Sequence, residues 1–280
     1  MSLAISPIGT RTTPRKSALP RKVAMRLAAE EYRRVSEVVV SLKPDQWRLP
    51  TDCTDWTVRE LVAHIAGMAA MVSTPWESSR QVRAAGRQMA TAGGLFIDAL
   101  TQLQVAERSA TSVQELAEEV RRIGPKASRG RRLMPGFLRN RLMEPAQDVG
   151  GVEEWWTLGF LVDTVLTRDP WMHRIDLAHA TRQPLHLTPE HDGLIVDDVV
   201  REWASRHGRS YRLKLTGPAG GTWVGSGNDD GGPGVGVGGA GRRREAQEDK
   251  ADLELDAIEF CRILSGRTAG DGLLAVKVPF

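Results

Sequence analysis

Apolar residues recur at spacings of three and four through the first two thirds of the chain, the mark of helices with one buried face. Over 22–42, Val23, Leu27, Tyr32, Val35, Val38 and Val39 repeat in this way among Arg and Glu, and Pro44 ends the run. After a loop over 44–56, Thr57-Val58-Arg59-Glu60 forms a capping box. The threonine hydroxyl takes the amide three residues on, and Glu60 reaches back to the cap. This second helix is predicted to end near Ser73, before Pro75. A third helical stretch over 76–123 is broken near Gly93-Gly94 and Ser109–Thr111. A fourth spans 153–180 with Pro170 inside it, and another covers Asp192–His207. A long all-helical segment of this kind is what an up-and-down bundle produces.

The pattern then changes. Tyr211–Thr216 alternates like a strand, Thr222–Val224 is a short apolar segment among glycines, and Asp252–Leu255 is a short strand candidate. Asp256 is placed to cap a helix that stops at Gly266, and Leu273–Val278 reads as a final strand. Between them, 226–249 is a glycine-rich, low-complexity insert. Its Gly234-x-Gly236-x-x-Gly239 matches a dinucleotide fingerprint in letters only. That motif needs a strand before it and a helix after it, and three arginines follow instead. The predicted fold class is therefore α+β, with three parts: a disordered basic tail over 1–21, a helical bundle over 22–209 and a small α/β domain over 210–280.

Composition adds exclusions. Of 280 residues, 41% are hydrophobic and 26% charged, which fits neither wholesale disorder nor a membrane-embedded chain. No apolar run approaches the ~18 residues of a membrane span, and no secretion-type core opens the chain. Cys53 and Cys261 are too far apart in sequence for a metal knuckle, so a reducing, cytoplasmic setting is expected. The net charge of +3 hides an imbalance: residues 1–22 carry five basic residues and no acid, and 121–141 carry eight and no acid. Pro125, Gly130, Pro135 and Gly136 mark 121–141 as a predicted loop facing solvent or small anions. Phe137 is its one aromatic, which argues against a nucleic-acid partner.

Candidate chemistry centres on histidine. His64 falls on the shoulder of the stripe set by Val58, Leu61, Ile65, Met68 and Val72, and Ala63 and Gly67 would leave room beside its imidazole. In the fourth helix, the face of Leu158, Val162 and Val165 continues through Asp169, His173, Asp176 and Ala180. If the helix is continuous, an aliphatic stripe becomes carboxylate and imidazole, which a bundle core tolerates only when paired or bound to metal. Asp169 and His173, four apart, could reach one cation. Alternatively Asp169 caps a helix restarted at Pro170, and the charged face is solvated surface. A third ligand in His64 tips the choice toward metal.

Trp47, Pro50-Thr51, Cys53 and Trp56-Thr57-Val58-Arg59-Glu60-Leu61-Val62-Ala63-His64 resemble the N-terminal signature of the mycothiol-dependent maleylpyruvate isomerase family, whose members are DinB-like four-helix metalloproteins. Arg168-Asp169-Pro170-Trp171-Met172-His173-Arg174-Ile175-Asp176 resembles its second signature, and Asp256–Arg267 resembles the sterol-carrier-like domain that follows. The resemblance implies a divalent cation on His64, Asp169 and His173, zinc first and nickel second, with mycothiol as co-substrate. It implies a transferase or isomerase in which a metal-bound thiolate attacks a small electrophile. Arg59, Arg168 and Arg174 are candidate clamps for an anionic substrate, and Asp176 a residue that orients a ligand. The competing reading is a catalytically silent bundle that binds a ligand or partner.

Overall fold

A computed structural model describes residues 11–226 and 252–280. The Gly234–Gly239 fingerprint, most of the glycine-rich insert and the first ten residues of the basic tail lie outside the described residues. The chain divides into two compact units. The first runs to Leu185, without 148–152 and with Phe280; the second comprises Asp148–Val152 and His186–Pro279.

The first unit opens with a strand, β1 (Arg11–Arg15), where the sequence predicts a disordered tail. No hydrophobic alternation announces it. Arg15 pairs instead with Glu154, both buried, and the Thr157 amide donates to the Arg15 carbonyl at 3.1 Å. Helices α1 (Arg21–Val40), α2 (Val58–Ser73), α3 (Pro75–Ala92) and α4 (Phe96–Ala106) follow. The capping box of α2 forms as expected, with the Thr57 amide donating to Glu60 at 2.7 Å.

Helix α5 (Val113–Leu133) overturns the predicted basic loop. Its start is fixed by a second capping box, Ser112 with Glu115, and it runs straight through Pro125 and Gly130. Gly130 lets the helix pass the end of α2: a Cβ there would lie 2.1 Å from the Val72 carbonyl oxygen. Most of the basic side chains lie on its outer face, but Arg131 is fully buried. A single turn, α6 (Gly136–Arg139), precedes strands β2 (Gln147–Val149) and β3 (Val152–Trp156). The fourth helix therefore begins later than predicted, after the Thr157 cap. It consists of α7 (Leu158–Phe160), a π-helical turn Leu161–Val165 and α8 (Leu166–Thr181).

Helices α1, α2, α5 and α8 form the bundle, each packed on two others, with α3 and α4 added beside α2. Val35, Val39, Trp47, Leu61, Ile65, Leu116, Val120 and Leu177 fill its centre. Helix α8 continues through Pro170 rather than restarting there. Proline lacks the N–H that would satisfy the Leu166 carbonyl. The buried Arg131 guanidinium supplies the missing donor to Leu166 at 2.8 Å and also bonds the Thr167 hydroxyl at 2.5 Å.

In the second unit, the helix expected at Asp192–His207 is α9 (Leu194–His207), entered through a π-helical turn. It groups with this unit rather than with the bundle, so the division falls earlier than the expected 209/210 boundary. Strands β4 (Ser210–Thr216), β5 (Gly221–Ser226) and β6 (Leu253–Asp256) form a sheet in the order β5-β4-β6, antiparallel then parallel. Helix α10 (Ala257–Leu264) is capped by Asp256, as expected. The predicted last strand is instead a 3-10 turn, Gly272–Ala275. One reason for it is that the Leu273 carbonyl accepts from the Trp203 indole at 2.8 Å. Among the described residues no helix is long and apolar enough to cross a membrane.

Candidate metal centre

Three side chains from two helices meet. His64 Nε2 on α2 lies 3.3 Å from Asp169 Oδ1 on α8, and His173 Nε2 lies 3.4 Å from the same oxygen. The two imidazoles are edge to face with centroids 5.1 Å apart. A tetrahedral cation with bonds of ~2.0–2.1 Å has neighbouring ligand atoms roughly 3.3 Å apart. The donor atoms therefore already sit near the edges of such a polyhedron. His64 and His173 are buried, and Asp169 keeps a narrow exposure, so the cluster is recessed but reachable.

The charges are strongly coupled. Burial opposes ionisation of Asp169, but His173 and His64 outweigh it and hold the carboxyl well below the usual carboxylate range. Burial likewise opposes protonation of His173, yet Asp169 and Asp176 overcome it and raise this imidazole well above its ordinary value. The site attracts positive charge, which protons or a dication can supply.

Each imidazole is held from behind. His173 Nδ1 donates to Asp176 Oδ2 at 3.0 Å, which leaves Nε2 facing the cluster. Behind His64 stand two residues that sequence reading misses. Gln81 Nε2 donates to the Gly67 carbonyl at 3.1 Å and to the Glu77 carboxylate at 2.9 Å, so its Oε1 must accept. Gln104 Nε2 donates to that oxygen at 2.9 Å, which turns Gln104 Oε1 toward His64 Nδ1 at 3.0 Å. Both acceptors are then fixed, so His64 carries its proton on Nδ1 and offers the Nε2 lone pair. No periodicity marks a glutamine on α4 as part of this site. The space expected beside His64 is taken as well: a Cβ on Gly67 would lie 2.5 Å from Gln104 Cβ.

The loop before α2 completes the surroundings. The Trp56 ring lies 4.9 Å from His64 and 6.3 Å from His173. Cys53 Sγ is 3.8 Å from Asp176 Oδ2 and 4.0 Å from His173 Nδ1, so Cys53, His173 and Asp176 form a second close donor group. The candidate clamps are engaged elsewhere. Arg59 donates to the carbonyls of Arg108, Ser109 and Thr111 and fastens the turn before α5. Arg174 makes a fully buried ion pair with Glu31 at 2.7 Å. Arg168 lies over the Phe280 ring.

Residues 28–178 match the family model described as the mycothiol maleylpyruvate isomerase N-terminal domain. Two solved structures share the fold: the mycothiol-dependent maleylpyruvate isomerase and a histidine-to-alanine variant of it. Each is 15% identical to this chain with a TM-score of 0.53, the match covering 90% of this chain and 91% of the other. No curated protein sequence matches the chain.

Proposed function

Since the chain belongs to the mycothiol maleylpyruvate isomerase N-terminal domain family, we propose that it is a divalent-metal-dependent transferase or isomerase that uses mycothiol on a small electrophile in the cytoplasm. The observation that carries this reading is the convergence of His64, Asp169 and His173 at tetrahedral-edge spacing. Two imidazoles and one carboxylate suit zinc, and nickel takes the same donors. A bound cation with an open position would supply the Lewis acidity that lowers the pKa of a thiol.

The chain's own residues set the rest. Asp176 and Gln104 hold protons on the outer ring nitrogens, so both inner nitrogens converge, and His173 would offer its lone pair once a cation displaces the proton there. Asp169, with Asp176 behind His173, would offset a dication, so a thiolate would be held by direct coordination at the open position rather than by net charge. Trp56 covers the rings on one side and limits water. Addition of the thiol to an activated double bond, rotation and expulsion of the thiol give cis–trans isomerisation; retention of the thiol gives S-transfer.

Elemental analysis of the purified protein tests the reading. Near-stoichiometric zinc or nickel that is lost in His173→Ala, together with mycothiol-dependent turnover of maleylpyruvate, is the expected result. A folded, metal-free wild type would favour the silent ligand-binding bundle.

A further inference from the structure

A groove of about 730 Å³ runs along the outside of the bundle between α1 and α5, walled by Ala29, Tyr32, Ser36 and Val40 on one side and Pro125 and Ser128 on the other. It shares no residue with the metal centre. Its floor is braced, because Arg131 lies 5.8 Å from the Tyr32 ring centre and donates to the Tyr32 hydroxyl at 3.5 Å. The two helices run antiparallel: Arg21 at the start of α1 bonds the carbonyls of Arg132 and Met134 at the end of α5.

Charge along the rim is uneven. Toward Val40, the basic groups are neutralised: Arg33 pairs with Glu30 and Glu37, and Arg121 pairs with Glu118 at 2.6 Å. That half carries Val40, 59% exposed, beside the Ser36 and Ser41 hydroxyls, and Tyr32, Ala29 and Pro125 continue the apolar surface along the middle of the groove. At the other end Arg129 and Arg132 line the groove, and neither side chain has a hydrogen-bond or ion-pair partner among the described residues. Lys126, one turn back, has none either. Like charges at this spacing on one helix repel. The helix dipole accounts for Arg132 in the last turn, but its effect fades before Lys126 and Arg129.

We propose that this groove binds an amphipathic organic anion, with its carboxylate or phosphate head at Arg129 and Arg132 and its aliphatic or aromatic body lying toward Val40. The volume lies within the range of small-molecule sites. From Arg121 to Arg132 the α5 rim extends about 16 Å, at 1.5 Å per residue, which suits an extended body rather than a bare ion. A nucleic acid would use the cations alone and leave the apolar surface of Tyr32, Pro125 and Val40 unused.

Calorimetric titration of the full chain with decyl phosphate, below its micelle concentration, tests this. One binding site is expected. Affinity should fall about tenfold in R129A/R132A, the scale of a lost charge-assisted contact. It should fall as far in S128W, whose indole fills the groove and leaves both arginines in place. The uncharged decyl glucoside should bind about tenfold more weakly than the phosphate. Circular dichroism and metal content should match wild type in both variants. Unchanged affinity in either variant, or equal binding of the glucoside, would overturn the proposal. So would a short DNA duplex that binds in place of decyl phosphate and is lost in R129A/R132A, because the rim would then be a phosphate-backbone surface.

Discussion

Arg131 donates to the carbonyl oxygen of Leu166, the backbone group that Pro170 leaves without its helical partner. The same guanidinium bonds the Val162 carbonyl and the Thr167 hydroxyl. One buried cation thus braces the start of α8, immediately before Asp169 and His173. Arg131→Met strands two buried carbonyls, at roughly 1–3 kcal/mol each. Denaturant unfolding should show a loss of about 2–6 kcal/mol, and zinc affinity should fall with it because Asp169 and His173 lose their register on α8. Wild-type stability in this variant would show that the proline is accommodated by other means.

Gln104 should matter for metal rather than for activity alone. Gln104→Leu keeps the volume beside Gly67 but releases His64 Nδ1 and strands Gln81 Oε1. Loss of such an outer partner typically costs about 10–100-fold in metal affinity. Competition with a chelator of known affinity would measure it. Gly67→Ala, which collides with Gln104, should move affinity in the same direction.

Metal binding should depend steeply on pH. His173 is held well above its ordinary pKa by Asp169 and Asp176 against the cost of burial, so a metal must displace its proton at neutral pH. Zinc affinity should therefore keep rising above pH 6.5, by up to about tenfold per pH unit for the one proton released. Titrations in zinc from pH 6 to 8 check this, and a plateau at 6.5 would contradict it.

Arg174→Met separates a structural role from a substrate clamp. Glu31 is fully buried, and breaking its buried ion pair with Arg174 costs about 3–5 kcal/mol. Chemical denaturation should show that loss; a stable variant with raised KM would restore the clamp.

The second unit carries its own pH dependence. Burial, with Arg209 nearby, pushes His207 down to about 4. Its Nδ1 accepts the Arg209 amide at 3.0 Å, and its ring stands 4.3 Å from Trp203. Between pH 4 and 6.5 the unfolded chain binds the proton and the folded chain does not, so stability is full above 6.5 and is lost as pH falls toward 4. Hydrogen exchange of the second unit at pH 7 and pH 5 should show this, and His207→Asn, which keeps an acceptor but does not titrate, should flatten it.

Much of the centre was legible along the chain. His64 follows a capping box that fixes helical phase, and Asp169 and His173 share one face, so these signals are local and periodic. The basic segment misled because Pro125 and Gly130 are loop signals only when nothing packs against them. Here Gly130 is required by the close passage of α2, and the run of arginines hides one member with an internal task.

Sequence alone sufficed for the phases of α1, α2 and α9, the α2 and α10 caps, the family and the three residues His64, Asp169 and His173 that converge, because each is written within a few turns of one segment. The tertiary structure alone decided that Pro170 does not break its helix, which glutamines orient His64, where Arg59 and Arg174 spend their charge, and that residues 11–15 form a strand. Those outcomes depend on partners 35 to 143 positions away in the chain, and only folding brings such groups within hydrogen-bonding range.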